Sequence, residues 1–194
     1  MKTVTKRSLL FAIPVLFASL FLPGCNIRNT NSDEKTGKKV DIQSPLGSLH
    51  VETDEHVKVH DTGLPVYPGA RPAPPDAEHD SQSANISMGF AGFGLKVVAA
   101  KYESDDAPEK LIEFYRKALT KYGAVTECRG NIDLHVGKDG KKIGCSSSSS
   151  DQDKTELGAG DESAQHMVSV RPKGKGTQFG LIYLQTRGKN QQTM

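Results

Sequence analysis

The stretch Ser104–Tyr122 constrains the fold most, because it alone sustains helical periodicity in a chain whose other apolar residues alternate in short runs. Leu111, Tyr115, Ala118, Leu119 and Tyr122 recur at spacings of three and four, and Ile112 and Phe114 widen the stripe. Lys110, Glu113, Arg116, Lys117 and Lys121 fall on the other side. Ser104, Asp105 and Asp106 can each cap the start, and Pro108 suits a first turn, where its missing N–H costs nothing. Gly123 suits the position just past the end. The aromatic residues of this stripe read as core. One helix of this length covers one face of a sheet, so the rest of the chain has to supply that sheet.

Strand signals are present on both sides of the helix. Val40–Glu52 alternates around Ser44-Pro45-Leu46-Gly47 and predicts a hairpin with one apolar face. Leu64–Ala70, with Pro65, Pro68 and Gly69, reads as an extended segment ending in a bend, and Arg71–Ser83 as a Pro-rich loop. Asn85–Tyr102 reads as a second hairpin, in which Ile86, Met88 and Phe90 alternate and Gly89, Gly92 and Gly94 break up the middle. These glycines lack the order of a phosphate-binding fingerprint and have no Lys-Ser/Thr after them, so they read as turn and bulge positions. Ala124–Arg129 is a short strand holding Cys128, and Asp139-Gly140 marks a turn. His166–Val170 and Gln178–Thr186 close the chain, the second apolar on both faces and suited to a central position. The expectation is an α+β fold: an antiparallel sheet of about four to six strands with the helix packed on one face.

Ahead of all this, Lys2, Lys6 and Arg7 precede an uncharged, largely apolar run from Ser8 to Leu22, which has the order of a secretory signal peptide. The run is shorter than the roughly 20 residues a membrane-spanning helix needs, and Pro14 interrupts it. Leu22-Pro23-Gly24-Cys25 follows and resembles the lipobox of bacterial lipoproteins. The resemblance implies cleavage before Cys25, a diacylglyceryl group on its thiol and acylation of the new amino terminus, hence a membrane as partner and the cell envelope as location. Asn26, in place of Asp, implies no retention at the inner membrane, so the outer membrane is favoured where there are two. Several acyl chains meet the requirement for stable anchoring, at about 0.8 kcal/mol per buried methylene.

Loss of this leader changes the charge balance. Without Lys2, Lys6 and Arg7 the 25 Lys and Arg fall to 22 against 23 Asp and Glu, so +2 becomes about −1. A chain with no concentrated cationic face is not a nucleic-acid binder. Residues 26–39 hold a single apolar side chain, Ile27, and read with Cys25 as a flexible tether. The remaining organisation expected is a hairpin over 40–62, the α+β domain over 63–187 with a mobile loop at 146–165, and a polar tail at 188–194. Five consecutive serines and five acids suggest that loop. A second resemblance lies in YPGA at 67–70, S-D-D-A-P-E-K at 104–110, Phe114-Tyr115 and K-Y-G at 121–123. This combination is similar to a domain recurring in small exported bacterial proteins of no assigned activity, and it implies a fold without implying a reaction.

Candidate sites are few. His56 and His60 could share a face, but no Glu stands between them as in a zinc-protease helix, and they read as solvated; no metal and no cofactor are expected. Cys128 and Cys145 remain once Cys25 is lipidated, and in an exported chain an even pair forms a disulfide. With only His135 between them they fall short of a zinc ligand set, and C-x-x-C spacing is absent. The function expected is that of a non-catalytic envelope lipoprotein binding a protein partner or small molecule. The alternative is an envelope hydrolase, which requires His50, His56, His60, His135 or His166 to meet a nucleophile or acid in a cleft. If Met88, Phe90 or Phe93 lie on an open sheet face, that face is a place to hold a ligand or partner.

Overall fold

The computed structural model describes residues 26–31, 38–53, 59–74, 83–133, 143–146 and 153–188. The first strands are β1 (Asn26–Asn31), β2 (Lys38–Ser44), β3 (Gly47–Thr53), β4 (Arg71–Pro72), β5 (Ser83–Phe90) and β6 (Phe93–Ser104). Helix α1 spans Pro108–Leu119 and runs into a 3₁₀ turn at Thr120–Tyr122. After it come β7 (Thr126–Arg129), β8 (Ile132–Asp133), β9 (Gly144–Cys145), β10 (Thr155–Gly160), β11 (Ala164–Lys173) and β12 (Gly176–Arg187).

Ten of these strands form one antiparallel sheet in the order β1-β2-β3-β5-β6-β12-β11-β10-β7, with β4 beside the end of β6; β8 and β9 pair separately. The long central pair is β6 with β12, in register from Gly94 opposite Arg187 to Ser104 opposite Thr177. The fold class is as expected, but the sheet has more strands than the sequence suggested. Its strands β2 and β3 are joined by the two-residue turn Pro45-Leu46. Strands β5 and β6 are joined by Ala91-Gly92, both at positive φ (47° and 85°).

The core lies between α1 and one face of the β10–β12 region. Alternation along the strands sends Leu157 and Ala159, Val168 and Val170, and Phe179 and Leu181 toward Leu111, Tyr115 and Leu119 of the helix. Each fully buried Leu, Val or Phe among these stabilises the fold by roughly 1.5–3 kcal/mol. Tyr115 is buried as predicted for the stripe, and its hydroxyl accepts a 3.1 Å hydrogen bond from the Tyr67 N–H. On the other face Cys128, Ile132 and Met167 pack with Ile143 and Ile182. Beside them Cys128 is bonded to Cys145, with Cα atoms 5.4 Å apart, as the sequence led us to expect.

Three segments differ from expectation. The helix starts at Pro108, with Ala107 at the cap position and no side-chain cap. Ser104 stays in β6 because it pairs with Thr177, while Asp105 binds Arg71 and Asp106 binds Tyr67 and Lys110. The supposed mobile loop at 146–165 contains β10, inserted between β11 and β7 with Leu157 and Ala159 fully buried. Its acid Glu156 is accommodated by Lys154 Nζ at 2.8 Å and the Ile132 N–H at 2.6 Å. The supposed tether contains β1, held by backbone pairing to β2 from Asn26–Gln43 to Asn31–Lys38. Ladder hydrogen bonds there substitute for the side-chain burial that this polar sequence cannot supply.

Candidate functional site

Strands β1, β2, β3 and β5 extend the sheet beyond the region that α1 covers. Cross-strand partners share a face, so Ile27, Ile42, Leu49, Met88 and Leu95 form one row on the side of the sheet away from the helix. Val40, Val51, Ile86 and Val97 form the next row. Phe90 opposite Phe93 completes the face at the turn. Every large apolar side chain exposed among the described residues belongs to this end: Ile27 (65%), Leu46 (72%), Met88 (43%), Phe90 (60%) and Phe93 (39%). Met88, Phe90 and Phe93 therefore do share an open face. Leu46 projects from the neighbouring turn, and a shallow groove of about 470 Å³ runs between the Pro45-Leu46 and Ala91-Gly92 turns. Sequence reasoning missed Ile27 and Leu46. The signal available for Leu46 was a large apolar residue at a turn tip; β1 offered none.

The helix-side face of the same strands is polar. Asp41, His50, Ser87 and Lys96 stand in one cross-strand row. His50 Nδ1 lies 2.5 Å from Asp41 Oδ1, a hydrogen bond that holds the Asp41 carboxyl below the usual carboxylate range. The other ring nitrogen is 3.8 Å from Glu52, so the ring's contacts are with carboxylates. This row also lies outside the turn groove and outside the cleft between α1 and β7, which the Arg116–Glu127 ion pair occupies at 2.6 Å.

The other two described histidines have structural partners. Exposed His60 has Nδ1 2.9 Å from the carboxylate of its neighbour Asp61 on the 3₁₀ turn Val59–Thr62. His166 is only 6% exposed and donates to the Thr62 carbonyl at 2.8 Å. It stacks on Tyr122, with centroids 3.5 Å apart, and lies 4.8 Å from Tyr183. Burial pushes its pKa down, so it is a neutral packing element. Gly63 sits at φ +70°, where a Cβ would lie 2.5 Å from the Tyr122 hydroxyl, and its carbonyl accepts from that hydroxyl. Among the described residues no group of three or more His, Cys, Asp or Glu is arranged to hold a metal ion, and no helix is long and apolar enough to cross a membrane. Cys25, His56 and His135 lie outside the described residues.

Comparison with family models, curated proteins and solved structures finds no match to this chain. Its class is therefore defined by its own geometry: a large antiparallel sheet with a helix-covered core at one end and an exposed apolar face at the other.

Proposed function

We propose that this protein is a lipid-anchored envelope protein that works by contact and not by catalysis, attached through Cys25 and presenting the apolar end of its sheet. The observation that carries the reading is the confinement of every exposed large apolar side chain, among the described residues, to that one end. Scattered surface apolar residues need no explanation, whereas a contiguous set marks an interaction surface. The leader ending in Leu22-Pro23-Gly24-Cys25 supports the anchor. The Cys128–Cys145 bond supports an oxidising compartment.

The test is detergent phase partitioning of wild type and Cys25→Ala. The thiol of Cys25 is the acyl acceptor and no other residue replaces it, so wild type enters the detergent phase and Cys25→Ala accumulates as an uncleaved or mislocalised precursor. Mature wild-type protein in the aqueous phase would overturn the anchor.

A further inference from the structure

The two turns at the apolar end lie side by side, because Gly47, just after Pro45-Leu46, pairs with Phe90, just before Ala91-Gly92. The sequence around them is uncharged: neither 43–49 nor 83–95 contains Asp, Glu, Lys, Arg or His, in a chain that is 25% charged. A rim of this composition enters an apolar medium without desolvating an ion, the largest cost such a transfer can incur. Aromatic side chains such as Phe90 and Phe93 are suited to bury a few ångströms into the boundary between head groups and acyl chains. Just outside the rim, exposed Arg28 and Arg187 offer positive charge of the kind that attracts anionic head groups; Arg28 is two residues into β1, and Arg187 pairs with Gly94.

Strand β1 ties this rim to the anchor. Its first residue, Asn26, pairs with Gln43, two residues before Pro45. Cys25 is bonded to Asn26, which keeps the two Cα atoms about 3.8 Å apart. A lipid on Cys25 is therefore one peptide bond from the end of β1 that pairs just before the Pro45-Leu46 turn. Resting on the lipid-anchor reading above, we infer that the Leu46–Phe90–Phe93 rim is a membrane-contact surface: it dips into the lipid leaflet that holds the acyl chains and seats the sheet on the bilayer. The occupant is lipid, since the anchor delivers this rim to lipid before any other partner.

The chain contains no Trp, so a single substitution supplies a clean fluorescent reporter. Full-length lipidated protein carrying Phe90→Trp is reconstituted into phosphatidylethanolamine–phosphatidylglycerol vesicles. Lys175→Trp is the reference, in the exposed turn between β11 and β12 at the opposite end of the sheet. The expected result is that Phe90→Trp emission is blue-shifted relative to Lys175→Trp and loses intensity when the acyl chains are brominated, while Lys175→Trp does neither. Leu46→Trp repeats the measurement should Phe90→Trp fail to fold. Water-like emission at the rim overturns the seat. Blue-shifted emission without bromine quenching also overturns it and marks a protein partner, or a second copy of the chain, on the rim. The mass of the same preparation separates the two ideas: a Cys25 without diacylglyceryl overturns anchor and seat together, and a lipidated protein with a wet rim overturns the seat alone.

Discussion

Buried between Tyr122 and Tyr183, the His166 imidazole makes the fold sensitive to acid. Burial is the main cause of its lowered pKa, nearby Lys121 acts in the same direction, and the hydrogen bond to the Thr62 carbonyl opposes both. The unfolded chain takes up this proton near pH 6.5 and the folded chain only at lower pH, so protonation favours unfolding. The stability that a neutral His166 contributes is complete above about pH 6.5 and is lost as the pH falls from there toward the folded value. The melting temperature should hold steady above neutrality and decline as the pH falls below about 6.5. His166→Phe, which keeps the stacking and has no proton to take up, should melt lower but with a flatter pH profile by circular dichroism. An unchanged slope would assign the acid sensitivity elsewhere. The chain's histidines were visible as candidate bases, but the partners that make His166 structural were not: Thr62 and Gly63 arrive from far along the sequence, and a spacing rule sees only neighbours.

At the scale of elements, legibility followed the apolar pattern. The hairpins β2–β3 and β5–β6, the central position of β12 and the stripe of α1 all carry alternating or helical apolar residues, and all were readable. Strand β1 was missed because its stability comes from pairing, and β10 because only Leu157 and Ala159 carry its apolar alternation between glycines and an acid. β10 reads Thr-Glu-Leu-Gly-Ala-Gly, with a buried acid whose lysine and backbone partners only the fold reveals. The start of α1 was misplaced because the capping candidates Ser104–Asp106 were drawn into contacts with β12, Arg71 and Tyr67. The Cys128–Cys145 bond ties β7 to β9 across a sequence separation of 17. For a loop near this size the chain-entropy account gives about 3 kcal/mol. The double variant Cys128→Ala/Cys145→Ala should lose stability of that order in urea titrations, with no free thiol detected in denatured, unreduced wild type. Two reactive thiols in wild type would rule the bridge out.

Across the whole molecule, stability is distributed unevenly. Strands β10–β12 lie under α1, whereas β1–β3 bury little and are held by ladder hydrogen bonds and half-buried rows. Local opening free energies should follow the same gradient. Hydrogen exchange of the protein in detergent, free of bilayer, should show the slowest amides in β6, β11 and β12 and the fastest among the paired strands in β1–β3. Uniform protection would mean that the ten strands open as a single cooperative unit. The extent of the sheet was not legible because alternation identifies strands one at a time. How many join is decided by which edges meet.

The position of β12 has a consequence for the order of assembly. Strands β1, β2, β3, β5 and β6 form a meander whose neighbours are close in sequence, and β7, β10 and β11 form a second group beneath α1. Among the described strands only β12 pairs with both groups, with β6 on one side and β11 on the other. A chain emerging from its amino terminus thus carries two partial sheets with unpaired apolar edges until Gly176–Arg187 arrives. Such non-local closure slows folding, and exposed strand edges recruit other chains in the interval. The twelve residues of β12 act as a keystone, and until they insert the two partial sheets are the state of the molecule most open to pairing with other chains.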